Sequence, residues 1–224
     1  MKMTRKKIVV IAVVVCLVAI LSMGTLAWFI DTDSSQNDFF VTNSENGADA
    51  IFSIDVKENV EGSQVPVDGF EFNNILPGQT IAKNPYVINT GSYSQYVRVT
   101  VTISDYNAFV AILGENYEMA KAFGGINTTD WEFDSKSTNT ANDGSVSYVY
   151  YLKSTLERNS SVELFTSVTI PYQLTQTQVA ETTLSNGFSI TVFAEAVQTE
   201  NVGVTNEVGA DRARKAFEYV AAHN

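Results

Sequence analysis

Beyond its first 45 residues the chain is dominated by apolar and polar positions alternating with a period of two. Over Gln95 to Ile103, Val97, Val99, Val101 and Ile103 fall on one face, while Arg98, Thr100 and Thr102 take the other. That pattern predicts a half-buried strand in an antiparallel sheet. Ala50, Phe52, Ile54 and Val56 repeat it, as do Val146, Tyr148, Tyr150 and Leu152, and Phe188, Ile190, Val192, Ala194 and Ala196. Val162, Leu164, Thr166, Val168 and Ile170 form one further row, and a shorter strand is expected over Pro85 to Asn89. Leu76-Pro-Gly78 and Asn89-Thr-Gly91 supply the turns between them. The expected fold is mainly β, an antiparallel β-sandwich of jelly-roll-like kind. Strands do not alternate with regular crossover helices and no solenoid-type repeat occurs, which argues against an α/β fold or a repeat array.

Two segments depart from period two. Within 105–123, Phe109, Val110, Leu113, Tyr117, Met119 and Ala120 suit a short helical insertion. Over 206–224 a C-terminal helix is expected, with Asn206 as its cap and Ala213, Phe217 and Val220 at helical spacing opposite Arg212, Arg214 and Glu218. Asp134 to Ser147 is rich in Ser, Asn, Thr and Gly and reads as a mobile loop.

The N-terminus has a different character. Lys2, Arg5, Lys6 and Lys7 precede an apolar run from Ile8 to Leu21, and Thr25-Leu-Ala27 ends in a small residue. Residues 1–27 therefore read as a signal peptide cleaved between Ala27 and Trp28, with an uncleaved membrane anchor as the alternative. In either case the remainder is expected outside the cell. The expected organisation is a free N-terminal segment over 28–45, a sandwich domain over 46–205 and the terminal helix. Cys16, preceded by Val15 and set inside the apolar run, does not suit lipidation. It is the one cysteine of the chain, so the processed protein has no disulfide and no thiol. Losing the four basic residues of the leader takes the formal charge from −11 to −15. A surface that acidic disfavours nucleic-acid partners and favours solubility after export.

Sites for chemistry are sparse. The single histidine, His223, lies at the C-terminus, and no H-E-x-x-H, P-loop or G-x-S-x-G motif occurs. No catalytic residue and no cofactor is assigned. Asp31 and Asp33 in Asp31-Thr-Asp33 are the nearest approach to a metal motif; they lack the glycine and distal glutamate of a calcium loop and read as a polar turn rather than a site. Asn127-Thr-Thr129 and Asn159-Ser-Ser161 match the glycosylation sequon, as a chain rich in Ser, Thr and Asn does by chance.

Thr25-Leu-Ala-Trp-Phe-Ile-Asp-Thr-Asp-Ser34, Asn37-Asp-Phe-Phe-Val41, Ile75-Leu-Pro-Gly-Gln-Thr80, Lys83-Asn-Pro-Tyr-Val-Ile-Asn-Thr-Gly91, Tyr96-Val-Arg-Val99, Leu164-Phe-Thr-Ser-Val-Thr-Ile-Pro171 and Phe193-Ala-Glu-Ala-Val-Gln198 span most of the chain. Together they resemble the TasA/camelysin family of proteins exported through a SipW-type signal peptidase. The resemblance implies a biofilm-matrix or cell-surface fibre subunit that self-associates when its freed N-terminal segment adds as a strand to the next molecule. Trp28, Phe29 and Ile30 are the apolar residues placed to anchor that strand. Metallopeptidase activity, ascribed to camelysin-type relatives, is not carried over because the ligand set is missing. The rival reading is a monomeric surface module binding a glycan or protein through tyrosines such as Tyr93 and Tyr148.

Overall fold

The computed structural model describes residues 30–34, 53–59, 75–139 and 144–223. Its strands are β1 (Ile30–Ser34), β2 (Ile54–Asn59), β3 (Thr80–Ala82), β4 (Asn84–Asn89), β5 (Gln95–Ile103), β6 (Phe123–Gly124), β7 (Trp131–Asn139), β8 (Ser145–Leu152), β9 (Ser161–Glu163), β10 (Ser167–Thr169) and β11 (Ile190–Gln198). Helices α1 (Tyr106–Leu113), α2 (Gln176–Ala180) and α3 (Ala210–His223) lie between and after them.

The strand pairings are antiparallel. One sheet has the order β1-β11-β5-β8-β7, and two three-stranded sheets have the orders β2-β4-β9 and β3-β10-β6. The smaller sheets are two halves of one bent layer. Lys83 N–H donates to the Thr166 carbonyl at 3.2 Å and Leu164 N–H to the Pro85 carbonyl at 3.0 Å, carrying the pairing across the bend. The Val162 to Ile170 row expected as one strand is thereby divided. Leu164 and Phe165 are each 1% exposed, and two adjacent residues on one buried side break period two, so the strand turns there.

Alternation along β5 sets the core. Val97, Val99, Val101 and Ile103 are fully buried and meet Ile54, Val56 and Val87 of the bent layer, together with Phe165 and Val168. Phe165 stacks on Phe123 at 4.8 Å between centroids, and the Trp131 indole donates to the Glu163 carbonyl at 2.9 Å. The other face of β5 is covered as well. Tyr96, Tyr151 and Val197 pack against Ala213, Ala216, Phe217 and Val220 of α3. The small alanines let the helix backbone approach the sheet, while Phe217 fills the gap with an edge contact to Tyr151 at 5.9 Å.

Turns follow their sequence signals. The Gln79 N–H bonds the Leu76 carbonyl at 3.0 Å, with Pro77 and Gly78 between them. Gly78 has φ +78°, and the Tyr172 ring lies where a side chain at Gly78 would project. Both demands are met by glycine alone in this type II arrangement.

Other expectations need revision. Asp134 to Ser147 is not a loop throughout: β7 runs to Asn139 and pairs with β8, with a bulge between Phe133 and Ser135. Its polar composition reflects an edge strand exposed along eight of its nine residues. Residues 140–143 of that segment lie outside the described residues. Asn206 does not cap the terminal helix, which begins at Ala210. The Glu207 carboxylate instead accepts from the Thr205 and Asn206 N–H groups, and Gly209 at φ +57° is left-handed. Tyr148, offered as a surface tyrosine, is 2% exposed, because it shares the inward face of β8 with Val146 and Tyr150.

The core makes two checks available. Phe165→Ala should lower unfolding free energy by about 3–5 kcal/mol, whereas Tyr172→Ala, at a residue 76% exposed, should change it by less than about 0.5 kcal/mol; urea unfolding followed by circular dichroism separates them. Burial pushes the Tyr148 phenol up to about 12, its hydroxyl being withdrawn from water without a hydrogen-bond partner. Above its unfolded value near 10 the unfolded chain releases this proton while the folded chain keeps it, so stability falls as pH rises from about 10 to about 12. Ultraviolet titration of the phenolates should show the last folded-state step disappear in Tyr148→Phe.

Candidate functional site at the β11 edge

Residues 30–34 form a strand at one side of the larger sheet. β11 pairs with β5 along nine residues, Ile190 to Gln198. On its other side, Phe193 to Val197 pair with β1 in the register Ile30↔Val197, Asp31↔Ala196, Thr32↔Glu195, Asp33↔Ala194 and Ser34↔Phe193. β1 therefore fills an edge that would leave backbone N–H and C=O groups of β11 unpaired.

Side chains on β11 alternate sharply. Val192, Ala194 and Ala196 face the sandwich core and are at most 1% exposed. Glu195 lies on the outward face and is gripped by Arg98 of β5, whose Nε and one terminal nitrogen approach its carboxylate at 2.8 and 2.7 Å. The same guanidinium stands 4.4 Å from the centroid of Phe217 on α3. Burial works to lower the Arg98 pKa, but hydrogen bonding with Tyr151 and the Glu195 charge outweigh it and the net direction is upward. Arg98 is thus a permanent cation joining the sheet to the helix through one carboxylate and one aromatic face.

The opposite edge of the sheet is defended differently. β7 carries Glu132, Asp134 and Lys136, and its bulge interrupts the ladder. Arg214 of α3 binds Glu132, Asp134 and Asp211 at 2.8, 2.6 and 2.7 Å. Charge and a bulge are the devices by which an edge strand avoids further pairing.

Among the residues singled out in the sequence, Ile30, Asp31 and Asp33 lie in β1, at register positions opposite Val197, Ala196 and Ala194. Ala27, Trp28 and Phe29 lie outside the described residues. Among the described residues no group of three or more His, Cys, Asp or Glu is placed to hold a metal ion. His223 stacks on Tyr219 at 4.1 Å and its Nδ1 is 2.6 Å from the Tyr219 carbonyl. Tyr93 is 64% exposed. The carboxylate of Glu157 is held by Ser94 and Thr155 at 2.6 and 2.8 Å, and these bonds keep its pKa below the usual value. Sequence reasoning missed the Arg98–Glu195 connection. Its signal was the pair of charged residues at the polar positions of two alternating strands, but their register is a tertiary fact.

Comparison with known protein families, with characterised proteins and with solved structures finds no match for this chain.

If Arg98 joins β11 to α3, Arg98→Ala should cost about 1–3 kcal/mol in urea unfolding. Paired with Phe217→Leu in a double-mutant cycle, it should show a coupling of at least about 0.5 kcal/mol.

Proposed function

We propose that this chain is a secreted structural protein of the bacterial cell surface or biofilm matrix, and that its copies join by N-terminal strand addition after processing between Ala27 and Trp28. The observation that carries this reading is the antiparallel pairing of β1, immediately downstream of the proposed cleavage point, with β11. Backbone hydrogen bonds do not depend on which copy supplies the strand. A β1 donated by a neighbour makes the same ladder as one folded back on its own chain, so exchange converts a closed monomer into an open chain of copies at little cost in contacts. Residues 35–53 separate β1 from β2 and are long enough for a strand to reach either its own sheet or another. Trp28, Phe29 and Ile30 supply the apolar end of the donated segment. The charged, bulged β7 edge favours a single receiving edge, which gives linear growth. The role is non-catalytic, and the partners are the SipW-type signal peptidase and further copies of the chain.

A monomeric binding module is the second reading, favoured by the exposed corner of Leu76 and Tyr172, 68% and 76% exposed. Ser34 and Phe193 are directly opposed in register, so Ser34→Cys with Phe193→Cys tests the choice in a processed chain that otherwise lacks cysteine. Oxidised as monomer, the pair should lock β1 in place and stop filament growth; oxidised after assembly, it should give a covalent ladder on non-reducing gels. Filaments that grow equally well from the locked monomer, or a protein that stays monomeric with an intact N-terminus, contradict strand addition.

A further inference from the structure

The one ion pair buried among the described residues is not explained by either role. Glu58 of β2 is fully buried, at 0%, and Lys83, at the bend between β3 and β4, is 8% exposed. Lys83 Nζ lies against Glu58 Oε1. The second carboxylate oxygen, Oε2, is buried and has no hydrogen-bond partner. The contrast with Asn89 is informative. Asn89, also 0% exposed, donates to the Tyr93 and Leu156 carbonyls and accepts from the Gly91 N–H, all within 2.9 Å.

An ion pair withdrawn from water with one oxygen unsatisfied is an expensive arrangement unless something else depends on it. Glu58 holds the position along β2 that continues the inward row of Ile54 and Val56, where period two calls for an apolar residue. A lysine side chain held against a carboxyl group in a buried site has fixed proximity in place of a bimolecular encounter, which is what an acyl transfer between the two requires.

We propose that Lys83 and Glu58 form an intramolecular isopeptide bond. A proton passes from the Lys83 ammonium to the Glu58 carboxylate. The Nζ lone pair then attacks Cδ, forming the C–N bond as the carbonyl π pair moves onto oxygen. Collapse of the tetrahedral centre restores the carbonyl and breaks one C–O bond. That oxygen leaves as water with the acid proton and the second proton from nitrogen. No oxidant or further reactant enters. The product replaces two buried charges and an unpartnered oxygen by one neutral amide. It also ties the edge strand β2 to the bend that joins β3 and β4, closing a loop across a separation of 25 residues. In a processed chain without cysteine this is a covalent staple of the kind a disulfide supplies elsewhere.

Intact mass of the folded, purified protein tests the bond directly. Relative to the sequence mass for its observed N-terminus, the protein should be lighter by one water, about 18 Da. Proteolysis should yield a branched peptide joining the segments around Glu58 and Lys83, with trypsin failing to cut after Lys83. Lys83→Arg and Glu58→Ala should each return to the full sequence mass. A folded wild-type protein at full sequence mass, with Lys83 recovered in a linear peptide, overturns the proposal. So does a water loss mapped to any other pair of residues. The wild-type measurement is decisive even if both variants fail to fold.

Discussion

Everything in this fold depends on β5 being covered on both faces. A period-two strand ordinarily gives one side to the core and the other to water. Here Val97, Val99, Val101 and Ile103 meet the bent layer, while Tyr96 and Arg98 on the reverse face meet α3. The sheet is consequently the middle of three layers. β11 and β8, paired to either side of β5, inherit the same two-sided cover. β11, the strand that pairs with β1, is thus backed by packing on both sides. With a single cysteine in the chain no internal disulfide can form, so hydrophobic burial on two sides of one sheet is the principal means of fixing that geometry.

Much of this architecture is legible from residue order, and the failures have physical causes. Rows of apolar residues with period two identify β5, β8 and β11 because burial on one face forces every second residue to be apolar. The same logic fails for β7. An edge strand exposed on most of its length has no apolar row, and its pairing is written in β8 rather than in its own side chains. It fails again at Leu164 and Phe165, where a bend buries neighbours in sequence. The terminal helix is visible in the spacing of Ala213, Phe217 and Val220. Its start is not, because Glu207 bonds the backbone behind it instead of opening a helical turn. The buried Glu58 was hidden in a strand whose inward row reads correctly up to Val56.

The edge at β11 brings these levels together. Its N-terminal partner is β1, so the proposed cleavage and strand availability concern the same short segment. Glu195 couples that edge to Arg98, and Arg98 couples it to Phe217. Docking of α3 and pairing at β11 therefore share one guanidinium. The opposite edge is closed by charge and a bulge. In the proposed assembly, one receiving and one guarded edge give the sheet a direction, and direction is what distinguishes linear assembly from unlimited aggregation.

Amide hydrogen exchange along Phe193 to Val197 tests the central claim most directly. With β1 present, the alternate amides that face it should exchange slowly. In a chain lacking residues 28–34 they should exchange fast, and a free peptide spanning 28–41 should restore their protection. Equal protection with and without the N-terminal segment, or no recovery with the peptide, would contradict the account.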